Sequence, residues 1–292
     1  MNGDEKRRFY TYFTEDYNND INIPECKNKK GVHRLFMGLK EKIKRGERIY
    51  GTMMRVVRNP AVNLLIKNSG LDFVMYDCEH SNFNMETLHD QFITGNLAGI
   101  ESFIRVPQLS REWISRSLDQ GATGVMVPML NSGEMARQHV FYSKYQPLGE
   151  RGYSGGIAHC GYKGGKHREI MDAANDKVIS IAQIETVEAV KNVEEIAAVE
   201  GIDALLVGPN DLSIALEIPG DLMNPLEIST IKRVAEACRK YGKAFGLHAG
   251  PDMLRMFEDD LTIVMMQSDI DFLTNGFSSV TKVFERKEGE KG

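Results

Sequence analysis

Residues 102–128 read SFIRVPQLSREWISRSLDQGATGVMVP, and this one stretch decides the architecture. It opens on an apolar run, Ser102–Val106, without the polar alternation of a half-exposed strand. Continuous Val, Ile and Phe is the pattern of a strand covered on both faces. Ser110 then offers a helix cap, Glu112 sits near the positive helix end, and Gly121 closes the helix. A second apolar run, Gly124–Pro128, follows at once. Strand, helix and strand joined so tightly make a βαβ unit, the element of parallel sheets.

The same rhythm runs outward in both directions. Further strands are predicted at Ile49–Met54, Phe73–Asp77, Val178–Ile184, Ala204–Val207, Ala244–Leu247 and Thr262–Met266. Helix signals separate them: Asn59-Pro60 before Gly70, Asn84 with Glu86 before Gly99, and Asn224-Pro225 before Gly242. Eight strands alternating with helices over about 250 residues predict an α/β fold, a (β/α)8 TIM barrel. The competing doubly wound sheet needs a Gly-rich turn after its first strand, and Arg55-Val56-Val57-Arg58 stands there instead. Two segments break the rhythm. Residues 1–32 are polar and aperiodic and are expected to form an N-terminal arm ahead of a single barrel domain, 33–292. Residues 151–165 hold six glycines inside a long connection and are expected to be a mobile lid.

Composition excludes several function classes. The 292 residues are 42% hydrophobic and 26% charged, ordinary globular usage. Lys and Arg (36) against Asp and Glu (41) give −5, so no nucleic-acid partner is expected. Cys26, Cys78, Cys160 and Cys238 lie far apart without a CxxC pair, which argues against a zinc ribbon or a disulfide scaffold. With no signal-like segment and no membrane-length apolar run, the expected setting is cytoplasmic.

Barrel active sites lie at the carboxyl ends of the strands. Here those ends carry Asp77-Cys78-Glu79-His80, Arg105-Val106-Pro107, Gln183-Ile184-Glu185-Thr186 and Gly208-Pro209-Asn210-Asp211. Converged on one mouth, these charges need partners. Carboxylates with few histidines suit a hard divalent ion with oxygen ligands, Mg²⁺ or Mn²⁺. Such an ion leaves room for a chelating 2-oxo acid. An arginine beside it would stabilise an enolate, and a histidine would shuttle the proton. No lysine stands at these strand ends, and Lys243 begins its strand, which disfavours a Schiff-base aldolase. Cys78 should point away from its neighbours into the core, and Trp113 reads as packing.

These motifs, D-x-E-H at 77–80, RVP at 105–107, LDQGATGVMVPM at 118–129, P-x-G-x-RG at 147–152, QIET at 183–186 and GPNDLS at 208–213, resemble the HpcH/HpaI family of metal-dependent pyruvate aldolases. The resemblance spans about Gly51 to Val280. It implies that Glu185 and Asp211 bind the metal, with Mg²⁺, Mn²⁺ or Co²⁺ as the ion. It implies that Gln183 and residues Gly208, Pro209, Asn210 and Asp211 contact the substrate. Arg105 would stabilise the enolate, His80 would act as the base on the aldol hydroxyl, and Asp119 would orient His80. Asp77 and Glu79 would lie near the metal's water. Ser81, Arg55 and Arg58 depart from the family pattern, as do 159–167.

The activity implied is cleavage of a 4-hydroxy-2-oxo acid to pyruvate and an aldehyde, through a pyruvate enolate held at the metal. Small-molecule 2-oxo acid and aldehyde are the partners implied, in a homo-oligomer whose last helix swaps between subunits (a hexamer, as a trimer of dimers). Two alternatives stand beside it. One keeps the enolate but acts mainly as an oxaloacetate decarboxylase or a carbon–carbon bond-forming synthase. The other is a non-enzymatic metabolite-binding barrel, which the set Glu185, Asp211, Arg105 and His80 opposes.

Overall fold

The structure, a computed structural model, describes residues 38–284. The expected arm over 1–32 lies outside them. The eight strands are β1 (Ile49–Met54), β2 (Phe73–Asp77), β3 (Glu101–Arg105), β4 (Gly124–Val127), β5 (Ile179–Ile184), β6 (Ala204–Val207), β7 (Ala244–His248) and β8 (Leu261–Ser268). All pair in parallel, and β8 returns to β1 to close the barrel. The (β/α)8 reading therefore holds, with strand ends displaced by two residues at most.

Two apolar layers explain why the strands are apolar on both faces. Residues such as Val74, Tyr76, Ile104, Val125, Ile184, Leu205 and Val207 face the helices. Their alternates, Met53, Phe73, Met75, Phe103, Met126, Ile181, Leu206, Ile263 and Met265, fill the barrel interior. Phe73 and Phe103 stack there with ring centroids 4.5 Å apart. Glycine makes room for them: a Cβ on Gly51 would lie 2.4 Å from the Phe73 ring, and one on Gly124 would lie 2.6 Å from Phe103. The helix α1 (Leu39–Lys44) closes the amino-terminal end with Leu39 and Ile43.

Strand parity then fixes what reaches the mouth. Asp77 continues the inward row of Phe73 and Met75, Arg105 that of Phe103, and Gln183 that of Ile179 and Ile181. Cys78 falls on the opposite parity and is buried in the outer layer, as its position predicts; burial pushes its thiol up to about 12. Trp113 packs half-buried against the same layer.

The helix signals are read correctly in most places. Asn84 caps α3 (Met85–Ala98) by accepting from Thr87 N at 2.8 Å, Ser110 caps α4 (Arg111–Asp119), and Asn224 caps α10 (Pro225–Tyr241). Between α4 and α10 lie α5 (Gly133–Ser143), α6 (His167–Lys177), α7 (Val187–Lys191), α8 (Val193–Ala197) and α9 (Pro209–Ala215), with α11 (Pro251–Met256) and α12 (Asp269–Thr281) beyond. The exception is Asn59-Pro60: its carboxamide supports a turn, and α2 (Val62–Asn68) starts later. No helix among the described residues is long and apolar enough to cross a membrane.

The segment 151–165 does not lie over the mouth. It follows α5, which runs back from the end of β4, so it packs at the amino-terminal face. Ala158 faces Gly121, the glycine that precedes β4, at 3.8 Å from where a Cβ there would sit. Glycine content identified an irregular connection correctly, but chain direction decides which face it covers.

Candidate active site

Asp77 is fully buried at the end of β2, and three elements meet on it. The β3 residue Arg105 binds it with both edges of a fork, Nε to Oδ1 at 3.0 Å and a terminal nitrogen to Oδ2 at 2.7 Å. Arg55, just past β1, adds Nε to Oδ2 at 2.9 Å. The backbone N–H groups of Glu79 and His80 donate to Oδ1 at 3.1 and 3.2 Å. Burial alone would raise this carboxyl; its bonds to Arg105, the Arg105 charge, the His80 N–H and Arg55 outweigh that and hold it below the usual range. With both oxygens so engaged, Asp77 is a strut that shapes the loop, rather than a free acceptor beside a metal's water.

The remaining carboxylates of the mouth lie one step further out. Arg105 reaches Glu79 at 2.9 Å, and His80 Nε2 stands 3.7 Å from Glu79 Oε2, with the His80 side chain 55% exposed. Glu185, just beyond β5, is buried and accepts from Met129 N at 2.7 Å and from Gln183 Nε2. Met129 adopts φ 47, an uncommon conformation for a residue with a side chain, and in it presents its N–H to Glu185. Burial pushes Glu185 up to about 7; the Met129 N–H resists this, and the charges of Glu79 and Asp211 add to it. Burial likewise raises Glu79, opposed by Arg105 and His80 and reinforced by Asp77 and Asp211. Glu79, Glu185 and Asp211 thus form one mutually repelling group.

That group fits a divalent cation. Its donors are hard oxygens, and a dication would remove the repulsion. Gly208 opens the space: a Cβ there would sit 2.8 Å from Gln183 Nε2 and 2.9 Å from Glu185 Oε2. The buried Gln183 Oε1 has no hydrogen-bond partner and is free to serve a ligand. Among the described residues no three His, Cys, Asp or Glu form a ready-made cage, so water or substrate must complete the shell. Asp211 itself stands half-buried in the first turn of α9.

Asp119 requires a correction. It is the last residue of α4, which runs from the mouth to the opposite face over about 13 Å at 1.5 Å per residue. There it pairs with Arg151 at 2.6 Å, and Arg151 stacks over Tyr145 with its guanidinium 4.8 Å from the ring centroid. Within the chain it does not orient His80; the carboxylate beside that histidine is Glu79.

Residues 56–264 match the HpcH/HpaI aldolase/citrate lyase family. The chain belongs to that family. A 4-hydroxy-4-methyl-2-oxoglutarate aldolase of Chaetomium globosum is 34% identical over 198 residues, 66% of this chain and 73% of its own length. A 5-keto-4-deoxy-D-glucarate aldolase of Klebsiella pneumoniae is 30% identical over 230 residues, 78% of this chain and 89% of its own. The HpcH/HpaI aldolase of Desulfitobacterium hafniense superposes with a TM-score of 0.82 at 31% identity, covering 87% of this chain and 99% of that one. The chain is accordingly a carbon–carbon lyase of the aldolase type.

Two residues at this HpcH/HpaI mouth escaped the sequence reading, and a third was marked there without a role. His248 ends β7, and its Nε2 lies 3.1 Å from the Gln267 carbonyl; burial lowers it, and the charges of Arg55 and Arg105 add to that. Its run, Ala244–His248, continues inward parity by one residue, the signal that could have found it. Asp269, buried at the start of α12, accepts from Arg55, Val56 and Val57 N–H at 2.8–2.9 Å and so clamps the loop after β1. Arg55 is the third, a departure from the family pattern that ties that loop to Asp77. The last two pair across about 214 and 22 residues, so nothing local announces them.

Proposed function

We propose that this site cleaves a 4-hydroxy-2-oxo acid to pyruvate and an aldehyde, using Mg²⁺ or Mn²⁺ held by Glu185 and Asp211. The observation that carries the reading is the group of buried Glu185 with half-buried Glu79 and Asp211 set against Arg105, and the bare backbone of Gly208 beside Gln183 and Glu185. The ion, when bound, supplies positive charge that favours the enolate of a 2-oxo acid.

The chain's own residues divide the remaining work. Gln183 and the Gly208–Asn210 backbone offer polar contacts to the oxo-acid end. His80, at the rim, takes the proton from the C4 hydroxyl; the C3–C4 bond breaks, its electron pair goes to the enolate, and the aldehyde leaves. Arg105, locked by Asp77, aims its remaining donors at the enolate oxygen, a preorganised anion stabiliser. A proton returned to C3 completes pyruvate. Glu79 Oε2 stands 3.7 Å from His80 Nε2, the one carboxylate beside that ring among the described residues.

The test is aldehyde release from a panel of 4-hydroxy-2-oxo acids with and without chelator. Release should stop with EDTA and return with Mg²⁺ or Mn²⁺, and borohydride with pyruvate should trap no lysine adduct. The buried Lys40 and Lys144 and the half-buried Lys243 serve carbonyls and Asp203 at the amino-terminal end, remote from the mouth. Chelator-insensitive release, or a reduced lysine adduct, would overturn the reading.

The same reading includes a homo-oligomer, a hexamer built as a trimer of dimers with α12 exchanged between subunits. Its support is the apolar surface of α12, where Phe272, Phe277 and Val280 are 45%, 71% and 71% exposed. Apolar side chains grouped this way on one terminal helix mark an interaction surface.

A further inference from the structure

His248 has no part in the cleavage steps, yet its strand delivers it to the mouth. Ala244, at the start of β7, lies in the barrel interior. A Cβ on Gly246 would meet Leu206 and Ile263 of the same interior layer at 3.1 and 3.2 Å. Two residues further on, His248 stands on that same inward face, half-buried at the carboxyl end of the strand.

An irregularity in β8 fixes the ring. Between the pairs Gly51–Met265 and Met53–Ser268, β8 holds one residue more than β1. Within this bulge Gln267 takes φ 57, a left-handed conformation that a side chain disfavours. Its carbonyl accepts from the buried Thr52 hydroxyl and meets His248 Nε2, each at 3.1 Å. A carbonyl cannot donate, so Nε2 carries the hydrogen, and Nδ1 carries the lone pair of the neutral ring. Among the described residues no hydrogen bond occupies Nδ1. Burial and the charges of Arg55 and Arg105 hold the imidazole below its usual range, opposed by the Gln267 bond and Asp271, so the resting ring is a neutral base.

Contacts tie this ring to the anion stabiliser. A terminal nitrogen of Arg105 lies 4.0 Å from Met53 Sδ, Met53 follows Thr52, and Thr52 shares the Gln267 carbonyl with His248. The enolate oxygen that Arg105 serves is bonded to C2, and C3 is the next carbon. A base for C3 must stand near Arg105 and apart from His80, which meets the hydroxyl on C4. We propose that His248 Nδ1 carries the proton at C3. In pyruvate it removes a methyl proton: the C–H pair becomes the C2–C3 double bond, and the carbonyl pair moves onto the oxygen that faces Arg105. In cleavage the step runs backward. Nδ1, protonated from water, gives its proton to C3, and the N–H pair stays on nitrogen as the carbonyl re-forms. His80 releases the C4 hydroxyl proton to water, so protons balance over the cycle without a co-reactant.

This role rests on the lyase reading, and isotope exchange tells the two apart. Exchange of pyruvate methyl protons in D₂O is followed by proton NMR on the full-length protein with Mg²⁺, beside aldehyde release from a 4-hydroxy-2-oxo acid. His248→Gln keeps an N–H for the Gln267 carbonyl and has no base. Its kcat for exchange should fall by about 10²–10⁴, the usual worth of a positioned base, with KM for pyruvate near that of wild type. His248→Ala should lose as much, and added imidazole should restore part of it, which it would not do for a histidine that only supports the bulge. With aldehyde release intact in the wild type, exchange that is unmoved in His248→Gln, or lowered only through KM, would overturn the inference and leave the lyase reading standing. A wild type that neither exchanges pyruvate protons nor releases aldehyde would overturn both.

Discussion

Replacing Glu185 by Gln removes one charge from the mouth and keeps the shape of the side chain. The metal-free protein should become more stable at alkaline pH, the reverse of what losing a buried polar contact usually brings. Glu185 has a folded-state pKa raised from 4.5 to about 7, first by burial and then by Glu79 and Asp211. A group raised in this way adds full stability below about pH 4.5 and loses it as pH climbs to about 7. Above that the ionised carboxylate carries a penalty of at most about 3 kcal/mol, at 1.36 kcal/mol per tenfold change in proton affinity. Because part of that penalty is shared with Glu79 and Asp211, a gain of about 1–3 kcal/mol is expected for Glu185→Gln at pH 8 without metal. Hydrogen bonding survives the exchange. Met129 N can still donate to the new amide oxygen, and a turned Gln183 amide would present its unpartnered Oε1 to the new amide nitrogen. The assay is thermal unfolding in EDTA and in Mg²⁺ from pH 5 to 8. In EDTA at pH 8 the variant should melt about 2–12 °C above wild type, at about 2–4 °C per kcal/mol. Near pH 5 the difference should shrink. In saturating Mg²⁺ the wild type should gain, by about 2.7 kcal/mol at a hundred times Kd, and the variant should not. A variant that is less stable than wild type in EDTA at pH 8 and still gains from Mg²⁺ would refute Glu185 as a ligand.

Gly208→Ala should fold yet lose metal-dependent activity, because its Cβ would need the space of Gln183 Nε2 and Glu185 Oε2, 2.8 and 2.9 Å away; metal titration by calorimetry checks it. Arg105→Lys keeps a charge but loses the fork on Asp77, so pyruvate proton exchange and aldol cleavage should slow together, by about 10²–10³. His80→Ala should instead harm aldol cleavage more than oxaloacetate decarboxylation, which has no hydroxyl to deprotonate; equal losses would assign His80 to binding. On the proposed assembly, Phe277→Asp on the exposed face of α12 should give smaller species than wild type in light scattering, with the barrel's circular dichroism retained.

How much of this the sequence carried depends on how local each signal is. Strand and helix are encoded by periods of two and 3.6 residues and by caps at fixed offsets, so eight apolar runs separated by capped helices were legible from spacing alone. The strand-end residues Asp77, Arg105, Gln183 and Glu185 were legible for the same reason, since a closed parallel barrel sends every carboxyl end to one mouth. Even the outward turn of Cys78 follows from alternation. What sequence could not decide is which polar groups spend their charge on one another. Asp77 is a buried strut because Arg55, Arg105 and two backbone N–H groups converge on it, and Asp269 clamps the first loop from the far end of the chain. Asp119 sits in a family motif yet lies at the opposite face, because α4 reverses direction after β3. The Gly-rich segment falls at that same face for the same reason. Arg58 stands out in the sequence only as a departure from the family pattern; only the folded loops show that its contacts are all neutral. Local periodicity determines the elements and the end of the barrel where chemistry belongs, whereas charge pairing depends on distances between residues far apart in the chain, which closing the barrel alone sets.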